Sequence, residues 1–325
     1  TILRLLYHRK PSLHRTLRDR RSNLTISCRH AIAMPGRLAE KNSDRIMKSI
    51  DCSMIVREVA RLCIEANSTL GDDVHAALEK ARERETSPLC REVLDQLLEN
   101  AAIARQESLA LCQDTGVAVV FVELGERVHI TGGSLVEAIN QGVRQGYAAG
   151  YLRMSLCDPL TRKNTGDNTP AVVHIELVPG DALKITLAPK GGGSENMSRI
   201  AMLTPSQGWQ GIQDFVLETV KAAGANPCPP IVVGLGLGGT FEKAALLAKK
   251  ALLRPLGSEN PDAQLAHLEQ ELLAAINRLG IGPQGLGGDT TCLAVHILKH
   301  PCHIASLPVA VNLNCHAHRH KEIVL

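Results

Sequence analysis

From Ile50 to Ala110 apolar residues recur at every third or fourth position. Ile55, Val56, Val59, Leu62 and Cys63 share one face of a first helix. Leu78, Ala81, Val93, Leu94, Leu97 and Leu98 continue the period in later ones. The first helix should end around Asn67–Gly71, and Asp72 with Asp73 can start the next. Val117–Leu124 is then a continuous apolar, β-branched run, which predicts a buried strand. Leu135–Ala149 reads as a helix. Ala171–Leu177 and Leu183–Leu187 read as a strand pair joined by a turn through Val178, Pro179, Gly180 and Asp181. Trp209–Ala223 is an amphipathic helix, Ile231–Val233 a short strand and Phe241–Leu253 another helix. Ala263–Arg278 is a strong helix closed by Gly280, and Cys292–Leu298 and Leu307–Val311 are the last strands. The pattern specifies an α/β chain with a helical N-terminal part followed by mixed β-sheets with flanking helices. No long Pro/Ser-rich linker interrupts residues 47–325, which are expected to form one catalytic domain.

The front of the chain is different. Residues 1–47 hold 11 of the 36 Lys and Arg but only 3 of the 33 Asp and Glu, so the formal charge of +3 belongs to this segment. The remainder is net acidic and offers no polyanion-binding surface. Residues 1–46 show no amphipathic period and are expected to be disordered. A mitochondrial-type transit peptide, a basic arm for an anionic partner and translated upstream sequence all fit them. Met34 and Met47 are both possible starts.

Composition narrows the function. Aromatic residues make up 2% of the chain, too few for base-stacking platforms. No apolar run approaches the ~20 residues of a membrane helix. The reading is a soluble, cytoplasmic protein with neither a nucleic-acid nor a membrane partner. Ten cysteines at irregular spacing, with no secretory signal, suit a reducing compartment in which thiols are ligands or core residues.

Polar or glycine-rich loops punctuate the frame: Leu111-Cys-Gln-Asp-Thr-Gly116, Asn164-Thr-Gly-Asp-Asn-Thr169, Lys190-Gly-Gly-Gly-Ser-Glu-Asn196, Asn226-Pro-Cys-Pro-Pro230, Gly282-Pro-Gln-Gly-Leu-Gly-Gly288 and Asn314-Cys-His-Ala-His-Arg-His320. Such loops are where rigid scaffolds keep function. Glycine runs let backbone approach a ligand and donate to an anion.

Over about residues 48–325, these loops in this order resemble the cluster-binding half of class I fumarases and the alpha subunit of L-tartrate dehydratases. The resemblance implies a [4Fe–4S] cluster held by Cys112, Cys228 and Cys315, with one iron open. Three thiolates rather than four leave a Lewis acid that can take a substrate hydroxyl and carboxylate. Prolines on both sides of Cys228 stiffen its loop, as suits a fixed ligand. Cys52, Cys63, Cys90, Cys157, Cys292 and Cys302 are read as core or incidental thiols. By the same resemblance, Gln113 and Asp114 approach the substrate. Arg153 binds a dicarboxylate, Gly192 offers a backbone contact and His303 faces the substrate. His303 and Asp114 are the catalytic candidates. Single-chain members of the family carry a second domain with the base. The resemblance is therefore to the alpha chain of the split form, completed by a beta subunit in an α2β2-type assembly and inactive without it. The implied reaction is reversible hydration of a small dicarboxylate, fumarate to malate first, with tartrate dehydration as the alternative.

Two rival readings come from other classes. Ile231-Val-Val-Gly-Leu-Gly-Leu-Gly-Gly239 followed by a helix matches G-x-G-x-x-G, the dinucleotide fingerprint of an NAD-binding oxidoreductase. The acid expected about 20 residues on is met only loosely, by Glu259. Cys302, Cys315, His316, His318 and His320 could form a zinc site, although their spacing fits no zinc finger. The terminal histidines are expected to form a polar, partly exposed segment near the subunit boundary.

Overall fold

The structure, a computed structural model, describes residues 47–325. The basic segment 1–46, and the expectation of disorder for it, lie outside the described residues. A short strand, β1 (Lys48–Asp51), leads into helix α1 (Cys52–Ser68), where the Asp51 carboxylate accepts from Ser53 N at 2.9 Å and caps the first turn. Ile55, Val59, Leu62 and Cys63 are fully buried along one face, as the period requires. Each buried aliphatic side chain there contributes roughly 1.5–3 kcal/mol. Helix α2 (Asp72–Arg84) has Asp72 and Asp73 in its first turn and Arg82 and Arg84 in its last, matching the helix dipole. Helix α3 (Pro88–Glu107) starts with Pro88 behind a Ser87 cap.

The chain continues as β2 (Val117–Gly125), β3 (Val128–Thr131), α4 (Leu135–Ala149), β4 (Val172–Val178), β5 (Leu183–Lys190), the single turn α5 (Gly192–Glu195) and β6 (Arg199–Leu203). Then come α6 (Gly208–Ala223), β7 (Ile231–Gly238), α7 (Phe241–Ala251), α8 (Ala263–Asn277), β8 (Cys292–His300), β9 (Leu307–Asn314) and β10 (Lys321–Val324). One four-stranded sheet has the order β10-β5-β2-β4 and the other β6-β9-β7-β8, with β1 and β3 as a parallel pair. Both large sheets are mixed: β2 and β4 are parallel, as are β7 and β8, while β5 and β9 run antiparallel to their neighbours. The α1–α4 layer covers the first sheet in one core, and α6 and α8 cover the second in another. Among the described residues no helix is long and apolar enough to cross a membrane.

Two sequence expectations change. Strands β4 and β5 are not paired with each other, because β2 lies between them. The buried run of β2 takes a partner on each side, and the turn after Val178 passes the end of β2. Glu126 N and Arg127 N cap that passage by donating to Val178 O and Gly180 O, each at 2.9 Å. Strand β7 also runs five residues further than expected, so Gly234 and Gly236 are strand residues and not a phosphate loop. A Cβ at Gly234 would lie 2.1 Å from Ala248 O, and one at Gly236 2.0 Å from Ala244 O. These glycines let α7 lie directly on the sheet, which removes the basis for the dinucleotide reading.

Candidate active site

In the second sheet Val232 of β7 pairs with Asn314 of β9, and the strands are antiparallel. The head of β7 and the tail of β9 therefore share one edge. Cys228, just before β7, and Cys315, just after β9, both emerge there. His316 N donates to Cys228 O at 3.2 Å and stitches the two loops together. The Cys112 loop joins from the other sheet through Asp114, whose carbonyl accepts from Arg319 Nη2 at 2.6 Å. Gly116 brings the same loop against the Lys190 backbone, where a Cβ would come within 2.7 Å.

The three thiols share one electrostatic neighbourhood. The surrounding protein pushes the Cys228 thiol up, and the Cys315 and Cys112 sulfurs add to the rise. Burial raises the Cys315 thiol, Arg319 and Lys190 pull it down, and Cys112 raises it again. Cys228 is exposed, while Cys112 and Cys315 are half-buried. Cys228 also holds a left-handed backbone, φ 54°, which is uncommon and costly for a non-glycine residue. Its own N–H bonds to Ala225 O at 3.0 Å, and Gln284 grips the next carbonyl, Pro229 O, through N at 2.7 Å and Nε2 at 3.0 Å.

Around the thiols, Asp114 is fixed by backbone donors. Gly192 N bonds to its Oδ2 at 2.7 Å and Gly116 N to its Oδ1 at 3.0 Å. The Asp114 N–H points at Cys112 Sγ, 3.4 Å away, and the Cys112 thiol lies 3.4 Å from Gln113 Oε1. Gly192 thus stands beside the cysteines with its N–H already engaged by Asp114. Arg153 is exposed, and its carbonyl accepts from Thr115 Oγ1 at 2.8 Å, so it rises from the rim of the Cys112 loop. His303 is elsewhere. It lies exposed between β8 and β9, its Nδ1 accepting from Ala305 N at 3.1 Å. Strand β9 separates it from Cys315 by eight residues, roughly 25 Å of extended chain. Within one chain, Cys112, Gln113, Asp114, Gly192, Cys228 and Cys315 come together with Arg153 at their rim, and His303 does not.

The segment 314–320 is partly exposed at His316 and His320, as expected, but departs from expectation in its middle. Ala317, His318 and Arg319 are buried, with Arg319 only 4% exposed. Desolvation holds the His318 ring well below its usual range. The segment crosses from β9 to β10, linking the two sheets, and that crossing removes it from solvent. Arg319 was not foreseen as a site residue; besides its bond to Asp114 O, its Nε and Nη1 are buried without a partner. Lys190 was missed too. Its Nζ bonds Ser194 Oγ at 2.8 Å and Glu195 Oε2 at 3.2 Å, and burial lowers its pKa to about 8. Glu195 is also gripped by Lys249 Nζ at 2.7 Å and Asn312 Nδ2 at 2.9 Å. This network ties the Gly191–Gly193 turn to the strand that delivers Cys315. No alternation or period marks a buried cation in either place; only the neighbouring motif letters flagged the region.

Glu195 in this network, and His296 in a separate buried place beside Arg254, make stability fall in acid. Glu195 is held at about 2 despite desolvation, which opposes this, by Lys190, Lys249 and Asn312. Buried His296 is held at about 4, by desolvation first and Arg254 next. In both cases the unfolded state binds more protons, between about 6.5 and 4 for His296 and about 4.5 and 2 for Glu195. The thermal midpoint should therefore drop from pH 6.5 downwards. Glu195→Gln should flatten its lower part, and a pH–midpoint curve for both proteins checks this.

Three free thiols beside a buried guanidinium with unpartnered nitrogens fit an anionic group. Among the described residues no three His, Cys, Asp or Glu side chains close on a single metal position, and this holds for the terminal Cys/His set as well. Yet three cysteines from three loops lie near enough to affect one another's charge, beside a buried guanidinium with two of its three nitrogens unpartnered. A buried cation is tolerated when negative charge stands against it.

Comparison with known proteins places nearly the whole described chain in one family. The family model described as fumarate hydratase (Fumerase) matches residues 56–324. A Methanocaldococcus jannaschii protein named "Putative L(+)-tartrate dehydratase subunit alpha" is 45% identical over 267 residues, covering 80% of this chain and 94% of that protein. The L(+)-tartrate dehydratase subunit alpha of Escherichia coli strain UTI89 is 36% identical over 265 residues, covering 80% and 87%. That of Escherichia coli strain K12 is 34% identical over 271 residues, covering 82% and 89%. The chain belongs to the fumarate hydratase (Fumerase) family.

Proposed function

We propose that this chain is the iron–sulfur alpha subunit of a hydro-lyase that adds water reversibly to fumarate, giving malate, together with a beta subunit. The observation that carries the reading is the meeting of Cys112, Cys228 and Cys315 at one edge, beside the unpartnered guanidinium of Arg319. Those three cysteines would hold a [4Fe–4S] cluster with one iron free of protein thiolate, which supplies a Lewis acid for a substrate hydroxyl and carboxylate.

The chain's own residues bind and orient. Arg153 extends from the rim and can take a carboxylate bidentately. Asp114, held by Gly192 N and Gly116 N, presents an acceptor fixed in place for a substrate hydroxyl. The Gln113 amide can bond a carboxylate oxygen. His303 enters from a second copy of the chain, because its loop stands at the far end of β9; an α2β2 assembly would supply that contact. The beta chain brings the base, so the alpha chain alone is inactive. The proposed enzyme works in the cytoplasm, the kind of reducing compartment that free thiols suit.

L(+)-tartrate is the second reading, favoured by the names of the relatives. The two substrates differ by a hydroxyl, and a site that hydrogen-bonds that group can discriminate strongly. Anaerobic reconstitution should give about four iron and four labile sulfide per chain. A reconstituted chain that holds no iron and no labile sulfide would overturn the hydro-lyase reading. With the beta chain present, initial rates should be higher on fumarate and malate than on L-tartrate, and the reverse order would make the enzyme a tartrate dehydratase.

A further inference from the structure

The connection from α4 to β4, residues 150–171, forms an ordered arm that anchors Leu152 in the core and holds Tyr151 and Leu160 out in solvent. Its stem is bonded to the Cys112 loop. Thr115 Oγ1 donates to Arg153 O at 2.8 Å, and the buried Asn168 donates through Nδ2 to Gly116 O at 3.1 Å. Asn168 Oδ1 also accepts from Ser155 N at 2.8 Å and Leu156 N at 3.2 Å. Further out, a bridge between Cys157 and Asn164 closes the arm. Asp158 Oδ1 shapes the tip by accepting from Leu160 N at 3.0 Å and Thr161 N at 2.7 Å.

Despite this order, Tyr151 is 96% exposed and Leu160 89% exposed. Tyr151 also holds a left-handed backbone at φ 52°, unfavourable for a bulky residue. Arg162 and Lys163 at the tip are exposed, and neither appears in a salt bridge among the described residues. Arg162 acts within the tip on the Asp158 carboxylate, but fixing a loop so that large apolar side chains stand in water gains this chain nothing. The same residues are typical anchors of a protein interface.

We infer that this arm is the docking element for the beta subunit, and that it fits an apolar pocket rimmed by carboxylates on that chain. The inference rests on the alpha-subunit reading proposed above. The beta chain is the occupant, rather than a second alpha chain, because of where the stem sits. It is hydrogen-bonded to the loop that carries Cys112 and Asp114, and it presents Arg153 at the open side of the site. A chain gripping the arm is therefore positioned to complete that site. A second alpha chain, by contrast, meets the site in the proposed assembly through its His303 loop, which stands at the other end of β9 from the Cys315 edge and is not the arm. Docking on the arm also gives the beta chain a handle on Arg153, two residues after Tyr151.

The test mixes the full-length chain, loaded anaerobically, with its beta chain and measures association by calorimetry and light scattering. The double variant Tyr151→Asn/Leu160→Asp keeps a residue that tolerates the left-handed backbone at 151. It should bind the beta chain at least 30-fold more weakly, with unchanged iron content, circular dichroism and thermal midpoint as an isolated chain. Arg162→Glu/Lys163→Glu, a purely surface change, should weaken association by about tenfold at low salt and by much less at high salt. Wild-type affinity in both variants would overturn the inference. So would a double variant that keeps the beta chain and loses only contacts between alpha chains. A wild-type chain that binds no beta chain would overturn the alpha-subunit reading itself, and the arm's role with it.

Discussion

Cys228→Ser is expected to strip iron and labile sulfide from the assembled enzyme and to lower turnover by at least about 10³-fold. Loss of a Lewis acid at the reacting centre removes several kcal/mol of transition-state stabilisation, and each ~1.4 kcal/mol is a factor of ten. Cys228 separates ligation from folding better than its two partners. It is exposed, so exchanging sulfur for oxygen removes no core contact. Its left-handed backbone is held by Ala225 O, His316 N and the Gln284 grip on Pro229, none of which uses the thiol. The folded chain should therefore survive with its thermal midpoint in the metal-free state unchanged. Cys302→Ser is the matched control: also exposed, with its thiol near Ser306 O at 3.2 Å, it lies at the other end of β9 and should keep full iron and activity. A Cys228→Ser enzyme that retains four irons and normal turnover would refute the ligand assignment.

Much of this architecture was legible because it is periodic. The α1 stripe, the β2 run and the α6, α7 and α8 helices follow directly from where apolar residues recur, since burial on one face is what the period encodes. Pairing is different. A strand of period two says which face is buried but not which neighbour supplies its hydrogen bonds, and so β4 and β5 looked like a hairpin while β2 takes both. The glycines of β7 show a related ambiguity. Glycine marks a close approach, whether to a phosphate or to a helix, and only the position of α7 decides between them. The short strands β1, β3, β6 and β10, of four or five residues, carry too few positions for a period to show.

The site was readable as motifs but not as geometry. Cys112, Cys228 and Cys315 are more than eighty residues apart from one another, and their meeting follows from the antiparallel pairing of β7 with β9 and from Arg319 reaching the Asp114 carbonyl. Neither can be deduced from spacing. His303 shows the limit from the other side. It lies only twelve positions before Cys315, yet an intervening extended strand carries it to the opposite edge. Closeness in sequence is closeness in space only where the chain turns back.

Arg254→Met should be the most destabilising single change outside the cysteines, lowering stability by about 3–5 kcal/mol. The Glu269 side chain is 5% exposed and accepts from Arg254 Nη1 at 2.8 Å, Arg254 Nη2 at 2.5 Å, Asn260 Nδ2 at 2.7 Å and Ile297 N at 2.7 Å. That one carboxylate fastens the α7–α8 connection and the outer edge of β8 to α8. Methionine keeps the length and apolar stem of arginine but leaves the carboxylate buried with neutral donors only. At roughly 2–4 °C per kcal/mol for a domain near this size, the midpoint should fall by about 6–20 °C. A second change then distinguishes charge from hydrogen bonding. Glu269→Gln on the Arg254→Met background removes the uncompensated charge and keeps an acceptor for Asn260 and Ile297, so it should recover at least half of the loss. Glu269→Leu leaves those two donors unsatisfied and should recover less. If Arg254→Met shifts the midpoint by under 2 °C, Glu269 is solvated well enough not to need its partner. Strand β8 flanks β7 along its length while Cys228 precedes it, so iron per folded chain should be unchanged in all three variants. Stability of the sheet and occupancy of the cysteine edge would then be separable properties of one strand system.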